Sequence, residues 1–164
     1  MIDHVKHMLK GQLEAALCML NDCIRKCPAE HWDGKIANDS YRQISYHTLF
    51  YLDYYLSVSE AAFTLRELHQ RGGDERSTAV SAGLSRDESL AYVEFCHRKG
   101  LDALAAETQQ SLQGPSGFAR LPFSRGELYL YNIRHVQHHT GQLSAYLRKV
   151  IEDGERWWVK TGWR

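Results

Sequence analysis

Residues 124–150 read SRGELYLYNIRHVQHHTGQLSAYLRKV, and the spacing within them decides the fold. Wound at about 100° per residue, the segment separates into faces. Arg134, Gln137, Gly141 and Arg148 fall on one side with Glu152 beyond them, and Ile133, Val136, Leu143, Leu147 and Val150 fall opposite. That division is the mark of an amphipathic helix packed against other helices. The segment opens on Ser124-Arg125-Gly126-Glu127, a Ser-x-x-Glu capping box. The same device recurs at Ser40-Tyr41-Arg42-Gln43 and Ser85-Arg86-Asp87-Glu88, which predicts two more helix starts. A further helix is predicted from Ile2 to Lys26, where Ile2, Val5, Leu9, Leu13, Ala16, Leu20 and Ile24 recur every three or four residues.

Pro28, Pro115 and Pro122, with Gly72-Gly73 and Gly114 to Gly117, lie between these segments and punctuate them. No alternating run of β character is long enough to matter. Four helices in 164 residues imply an all-α chain, a four-helix bundle forming a single domain over residues 1–164. The connection from Phe63 to Leu84 is too long for a tight hairpin. It lets the third helix run parallel to the second, as a crossover bundle requires. Lys plus Arg and Asp plus Glu are both 20, a formal charge of zero, which argues against nucleic acid as a partner. No stretch approaches the roughly 18 uninterrupted apolar residues of a membrane span. The first residues lack the layout of a secretion signal, and Cys18, Cys23, Cys27 and Cys96 show no Cys-x-x-Cys spacing. A cytoplasmic location with free thiols is therefore expected.

Nine histidines are many for so short a chain. Beside the apolar stripe of the last helix run Leu128, Tyr131, His135, His139, Gln142 and Tyr146, so His135 and His139 stand one turn apart on the inward side. His138 falls about 80° from the middle of that pair, nearer the polar face. His-x-x-x-His on a helix lets two imidazoles converge on one metal ion. The residue after His135 is Val136, so the Glu of a helical metalloprotease is absent. A third ligand has to come from another helix. His47 is the candidate, on the inner face of the second helix with Ile44, Tyr51, Tyr54 and Val58. Three imidazoles would leave a coordination position open for water or substrate. The competing reading makes the same histidines hydrogen-bonded core residues.

At these residues the chain resembles a known family. Ile44-Ser45-Tyr46-His47-Thr48-Leu49-Phe50-Tyr51 and His135-Val136-Gln137-His138-His139-Thr140-Gly141-Gln142-Leu143 are similar to the motifs of the DinB/YfiT-like superfamily of metal-dependent proteins. The likeness covers most of the chain. It implies an up-down-down-up four-helix bundle with a divalent metal, zinc or nickel, held by His47, His135 and His139. It further implies a thiol S-transferase or related transferase that joins a low-molecular-weight thiol cosubstrate, such as bacillithiol or mycothiol, to a small electrophile. A non-catalytic metal-containing binding or stress-response bundle is the alternative. A bound ion would lower the pKa of a water or thiol. Tyr51, Tyr54, Tyr131 and Tyr146 are expected to line an apolar pocket for such a small-molecule substrate, or else to pack in the core. Gln142 is expected to orient a ligand, or else to tie down a neighbouring helix.

Other residues read as structural. Cys23 and Cys27 are expected in the core, as is His97 in a stripe with Leu90, Val93, Leu101 and Leu104. His4, His7, His31 and His69 are expected in solvent. Leu49, Leu52 and Leu56 form a second apolar side of the second helix. That side, or the aromatic Trp157 to Trp163 tail, predicts a homodimer contact, with packing of the tail over the bundle as the other possibility.

Overall fold

A computed structural model describes residues 2–72, 83–151 and 158–163. Four long helices dominate it: α1 (Ile2–Lys26), α2 (Tyr41–Leu56), α4 (Arg86–Ala106) and α6 (Arg125–Val150). Two short ones, α3 (Glu67–Gly72) and α5 (Gln109–Gln113), lie between them. Strands β1 (Lys35–Ile36) and β2 (Asp39–Ser40) form a two-residue antiparallel hairpin. Gly73, Glu152, Trp157 and most of the second half of the Phe63–Leu84 connection fall outside the described residues.

The helix starts follow from local chemistry. Ser40, Ser85 and Ser124 are extended, and each side chain accepts from the N–H three residues on. Gln43, Glu88 and Glu127 return the bond to the backbone N–H of the cap. Two N–H groups left over by each helix are thereby satisfied. A fourth box, Thr108 with Ser111, starts α5 and has Ser where the familiar pattern has Glu or Gln.

Helix α1 packs on α4 and α6, and α2 packs on the same two. Leu13, Leu17, Leu20, Ile24, Leu49, Leu52, Val93, Val136 and Leu143 fill the centre. Leu49, Leu52 and Leu56 thus spend their surface inside this chain, and the expectation that they supply a dimer contact is corrected. The buried face of α4 is Ser89, Tyr92, Val93, Cys96, Gly100 and Leu104. Leu90, His97 and Leu101 stand at its edge, because the packed stripe is rotated toward Tyr92 and Cys96. His97 is half-buried, stacked on Trp163 with ring centroids 4.3 Å apart and 3.1 Å from Glu14 Oε1. The tail lies over α1: Val159 packs with Ala15, Cys18 and Met19, and Gly162 N donates to Gly11 O at 2.9 Å.

Among the described residues, the most deeply buried carboxylate is that of Asp53. Asp53 is 1% exposed. Its Oδ1 accepts from Lys99 Nζ at 2.6 Å, and its Oδ2 from Arg66 Nη2 at 2.6 Å and Tyr92 Oη at 2.8 Å. His69 joins the group: its Nδ1 accepts from the Arg66 backbone N–H, which leaves the proton on Nε2, 2.8 Å from Tyr92 Oη. His69 is 1% exposed, so the expectation of a solvated side chain there is also corrected. The network fastens the segment carrying α3 to α2 and α4.

The loop before α6 is held by Gly117. Its φ is +85°, and a Cβ there would sit 2.6 Å from Val58 O, so no larger residue fits without displacement. Glu60 N donates to Gly117 O at 2.9 Å. The bond seats Phe118 against Tyr54 and Tyr55, with centroids at 4.8 and 5.5 Å.

Candidate metal centre

The side of α2 facing α6 carries His47, Tyr51 and Tyr54, all half-buried, while the core side of the same helix carries Ser45, Leu49, Leu52 and Leu56. Val58 lies past the helix end and is exposed, so it is not part of that face. On α6, Val136, Thr140 and Leu143 are buried, and His135, His139 and Gln142 flank them toward α2. The two faces meet at a seam between the helices. There His47, His135 and His139 each offer a ring nitrogen, and the three nitrogens lie within 4.8 Å of one another. Among the described residues, they form the one group of three or more His, Cys, Asp or Glu side chains placed to share an ion.

The geometry suits a cation. His135 Nε2 and His47 Nε2 are 3.4 Å apart, about the edge of a tetrahedron whose ligand distance is the 2.0–2.1 Å of zinc to imidazole nitrogen. His139 Nδ1 is 2.8 Å from Gln142 Oε1. A carbonyl oxygen only accepts, so Nδ1 bears the proton and the lone pair is on Nε2. Gln142 thereby fixes the tautomer that a ligand needs. Burial, with His139, His47 and His138 nearby, pushes the His135 imidazole down to about 3, so it is neutral at physiological pH. Its Nδ1 is buried without a hydrogen-bond partner. A protonated His135 is disfavoured by this packing, so its ring has a lone pair to offer a cation.

The surrounding aromatics are ordered around the seam. Tyr51 is closest, with its ring centroid 4.8 Å from His47 and 5.8 Å from His135. Tyr55, which the sequence did not single out, is 6.4 Å from His135. Its i, i+4 relation to Tyr51 is the signal that would have found it. Tyr54 and Tyr131 stand one ring further out, Tyr54 beside Tyr51 at 6.2 Å and Tyr131 beside Tyr55 at 5.5 Å. Tyr146 is elsewhere, with its hydroxyl 3.2 Å from His31 Nδ1. Gly34 permits this, since a Cβ there would overlap that hydroxyl. His31 is half-buried as a result, whereas His4, His7 and His138 are exposed. His138 lies 4.9 Å from His139 by ring centroid and is outside the group of three.

The cysteines stand apart from this chemistry. All four are buried, and burial pushes the Cys23 and Cys27 thiols up to about 12. Those two thiols stay protonated and inert at neutral pH.

Gln142→Leu should weaken zinc or nickel binding about 10- to 100-fold and leave folding intact, because the Gln142 side chain is only half-buried. Competition titration against a chromophoric chelator reads this, and an unchanged affinity would remove Gln142 from the site.

The family model described as the DinB superfamily matches residues 12–143. That span holds α2, α4 and the three histidines. No curated protein and no solved structure matches the chain. With the match extending over most of its length, the chain belongs to the DinB superfamily.

Proposed function

We propose that the chain is a metal-dependent enzyme of the thiol S-transferase type, with His47, His135 and His139 as ligands of a zinc or nickel ion. The observation that carries this is the meeting of three imidazoles from two helices, none of them fully buried, at one seam. A structural site is closed by its protein ligands, whereas three ligands with solvent access leave a position for a reactant. Such an ion supplies Lewis acidity that turns a bound thiol into a thiolate at neutral pH. The chain's own residues do the rest. Gln142 holds the His139 tautomer, Tyr51 and Tyr55 give the seam an apolar wall with hydroxyl groups, and Tyr54 and Tyr131 extend that wall. Burial, with Tyr131 next in effect, holds the Tyr55 hydroxyl above its usual range, so Tyr55 acts as a hydrogen-bond donor and not as a base.

In the same reading residues 1–164 are one domain whose long helices run up-down-down-up. Several contacts support this order. Lys6 Nζ near the start of α1 donates to Ala105 O near the end of α4, and Arg86 Nη1 at the start of α4 donates to Cys27 O. Asn132 reaches Leu52 O, and Arg125 reaches Ser57 O. No helix among the described residues is long and apolar enough to cross a membrane. We take the chain to act in the cytoplasm on small molecules and not on nucleic acid. Any homodimer contact falls at the tail, where Trp158 is exposed.

The test is turnover of the untagged chain with bacillithiol, mycothiol or cysteine and monochlorobimane as the electrophile. We expect conjugation that vanishes on chelation and returns with zinc or nickel. Metal uptake without turnover with any of the thiols would favour the non-catalytic alternative.

A further inference from the structure

A cavity of about 590 Å³ opens beside the triad, and its chemistry is not explained by metal binding alone. Tyr51, Tyr54, Tyr55 and Phe118 give it aromatic walls, and Glu60 and Arg120 stand on it as well. The rings are locked edge to face, Tyr54 on Phe118 at 71° and Tyr55 on Phe118 at 77°. Gly117 and its bond to Glu60 fix Phe118 in place. The walls are thus preformed, and the volume is within the roughly 300–1,000 Å³ of small-molecule sites. Tyr51 belongs both to the cavity and to the surroundings of His47 and His135, so a molecule lying in the cavity reaches toward the triad.

Neither charge on the cavity is used by the fold. Among the described residues the Arg120 guanidinium has no ion pair, hydrogen bond or ring contact, and the Glu60 carboxylate has none either. Other arginines among the described residues behave otherwise. Arg42, Arg66 and Arg125 each hold a carboxylate. A guanidinium presents a fork of donors that matches a carboxylate with two parallel bonds. Aromatic walls favour a planar ring by offset or edge-to-face packing. A second anion on the ligand would meet Glu60 and be repelled.

We propose that this cavity binds an aryl monocarboxylate, with its ring against the aromatic wall that Tyr51, Tyr54, Tyr55 and Phe118 form and its carboxylate on Arg120. The proposal rests on the triad being the reacting centre, because Tyr51 connects the two. It names the substrate class as an aromatic acid whose far end faces the metal.

Two measurements test it on the full chain. In the first, the chelator-treated protein is titrated calorimetrically with 2-naphthoate, its neutral counterpart 2-naphthamide, and naphthalene-2,6-dicarboxylate. The expected result is naphthoate binding at least about tenfold tighter than naphthamide, the size of one charge-assisted contact. Arg120→Gln should erase that preference and leave naphthamide affinity unchanged, which also shows that the variant is folded. Glu60→Gln should tighten the dicarboxylate. Equal binding of naphthoate and naphthamide by the wild type, or naphthoate binding indifferent to Arg120→Gln, overturns the proposal.

The second measurement loads the chain with cobalt(II) and follows the ring protons of bound naphthoate by NMR. Paramagnetic broadening that is lost in His47→Ala supports the placement beside the triad. Binding without broadening in a cobalt-loaded chain overturns it. Failure to take up cobalt refutes the metal reading instead, and the calorimetric titration, which needs no metal, then decides the cavity by itself.

Discussion

Asp53→Ala should destabilise the folded chain by about 3–4 kcal/mol, toward the lower end of what removing one partner of a buried ion pair does. The carboxylate is 1% exposed and serves Lys99, Arg66 and Tyr92 together. Without it, two cations remain beside a buried space with no counter-charge. The figure belongs to the lower end because the Lys99 and Arg66 side chains keep 26% and 31% of their exposure, so water takes up part of the charge. Urea unfolding followed by circular dichroism checks it, with the midpoint lowered and the slope unchanged. A loss below about 1 kcal/mol would mean that the network is incidental.

The same group sets an acid dependence. Burial by itself would raise the Asp53 pKa, but hydrogen bonds from His69, Lys99 and Tyr92 and the charge of Lys99 outweigh it and hold the carboxyl well below its usual range. The folded value is therefore lower than the unfolded value of about 3.9. Stability from Asp53 is present above that unfolded value and is lost as pH falls below it toward the folded one. Wild-type stability should decline more steeply below about pH 4 than that of Asp53→Ala.

The second large effect concerns the triad. His47→Ala and His139→Ala should each weaken zinc or nickel binding by more than about 100-fold, beyond the 10- to 100-fold expected for an outer partner such as Gln142. Neither should unfold the metal-free chain, because both side chains are half-buried and surface-like substitutions shift stability by about 1 kcal/mol or less. Binding also stabilises the folded state, by about 2.7 kcal/mol at a free metal concentration of 100 Kd. The wild type should therefore melt higher with metal, and the two variants should not. His138→Ala is the control: that ring is exposed and outside the group, so it should behave as wild type.

Much of this arrangement is legible in the residues alone. The three capping boxes locate α2, α4 and α6 because the motif is local and each partner is three residues away. The facing of His135 and His139 follows from their i, i+4 spacing on a long helix. Placing His47 across from them needed the likeness to a family as well, since nothing local joins residues 88 positions apart. The Asp53 network escaped for the same physical reason. Its members come from α2, the Arg66–His69 segment and α4, and His69 sits in a connection where histidines are ordinarily wet. A lone carboxylate within Leu49-Phe50-Tyr51-Leu52-Asp53-Tyr54-Tyr55-Leu56 was the available signal, because an unpaired charge does not persist in an apolar helix face. Helix α5 escaped because its cap ends in Ser111, and the β1–β2 hairpin because two residues per strand leave no alternation to read. The rotation of the buried face of α4 toward Tyr92 and Cys96 is a tertiary choice that the spacing of its leucines does not encode.

Metal binding by the triad is read most directly from the metal content of the untagged chain after exposure to zinc or nickel and gel filtration, taken for the wild type and for the His47→Ala, His139→Ala double variant. About one ion per chain is expected in the wild type, and loss of that ion in the double variant. Less than about 0.3 ion per chain in the wild type, or an equal content in both proteins, would contradict it.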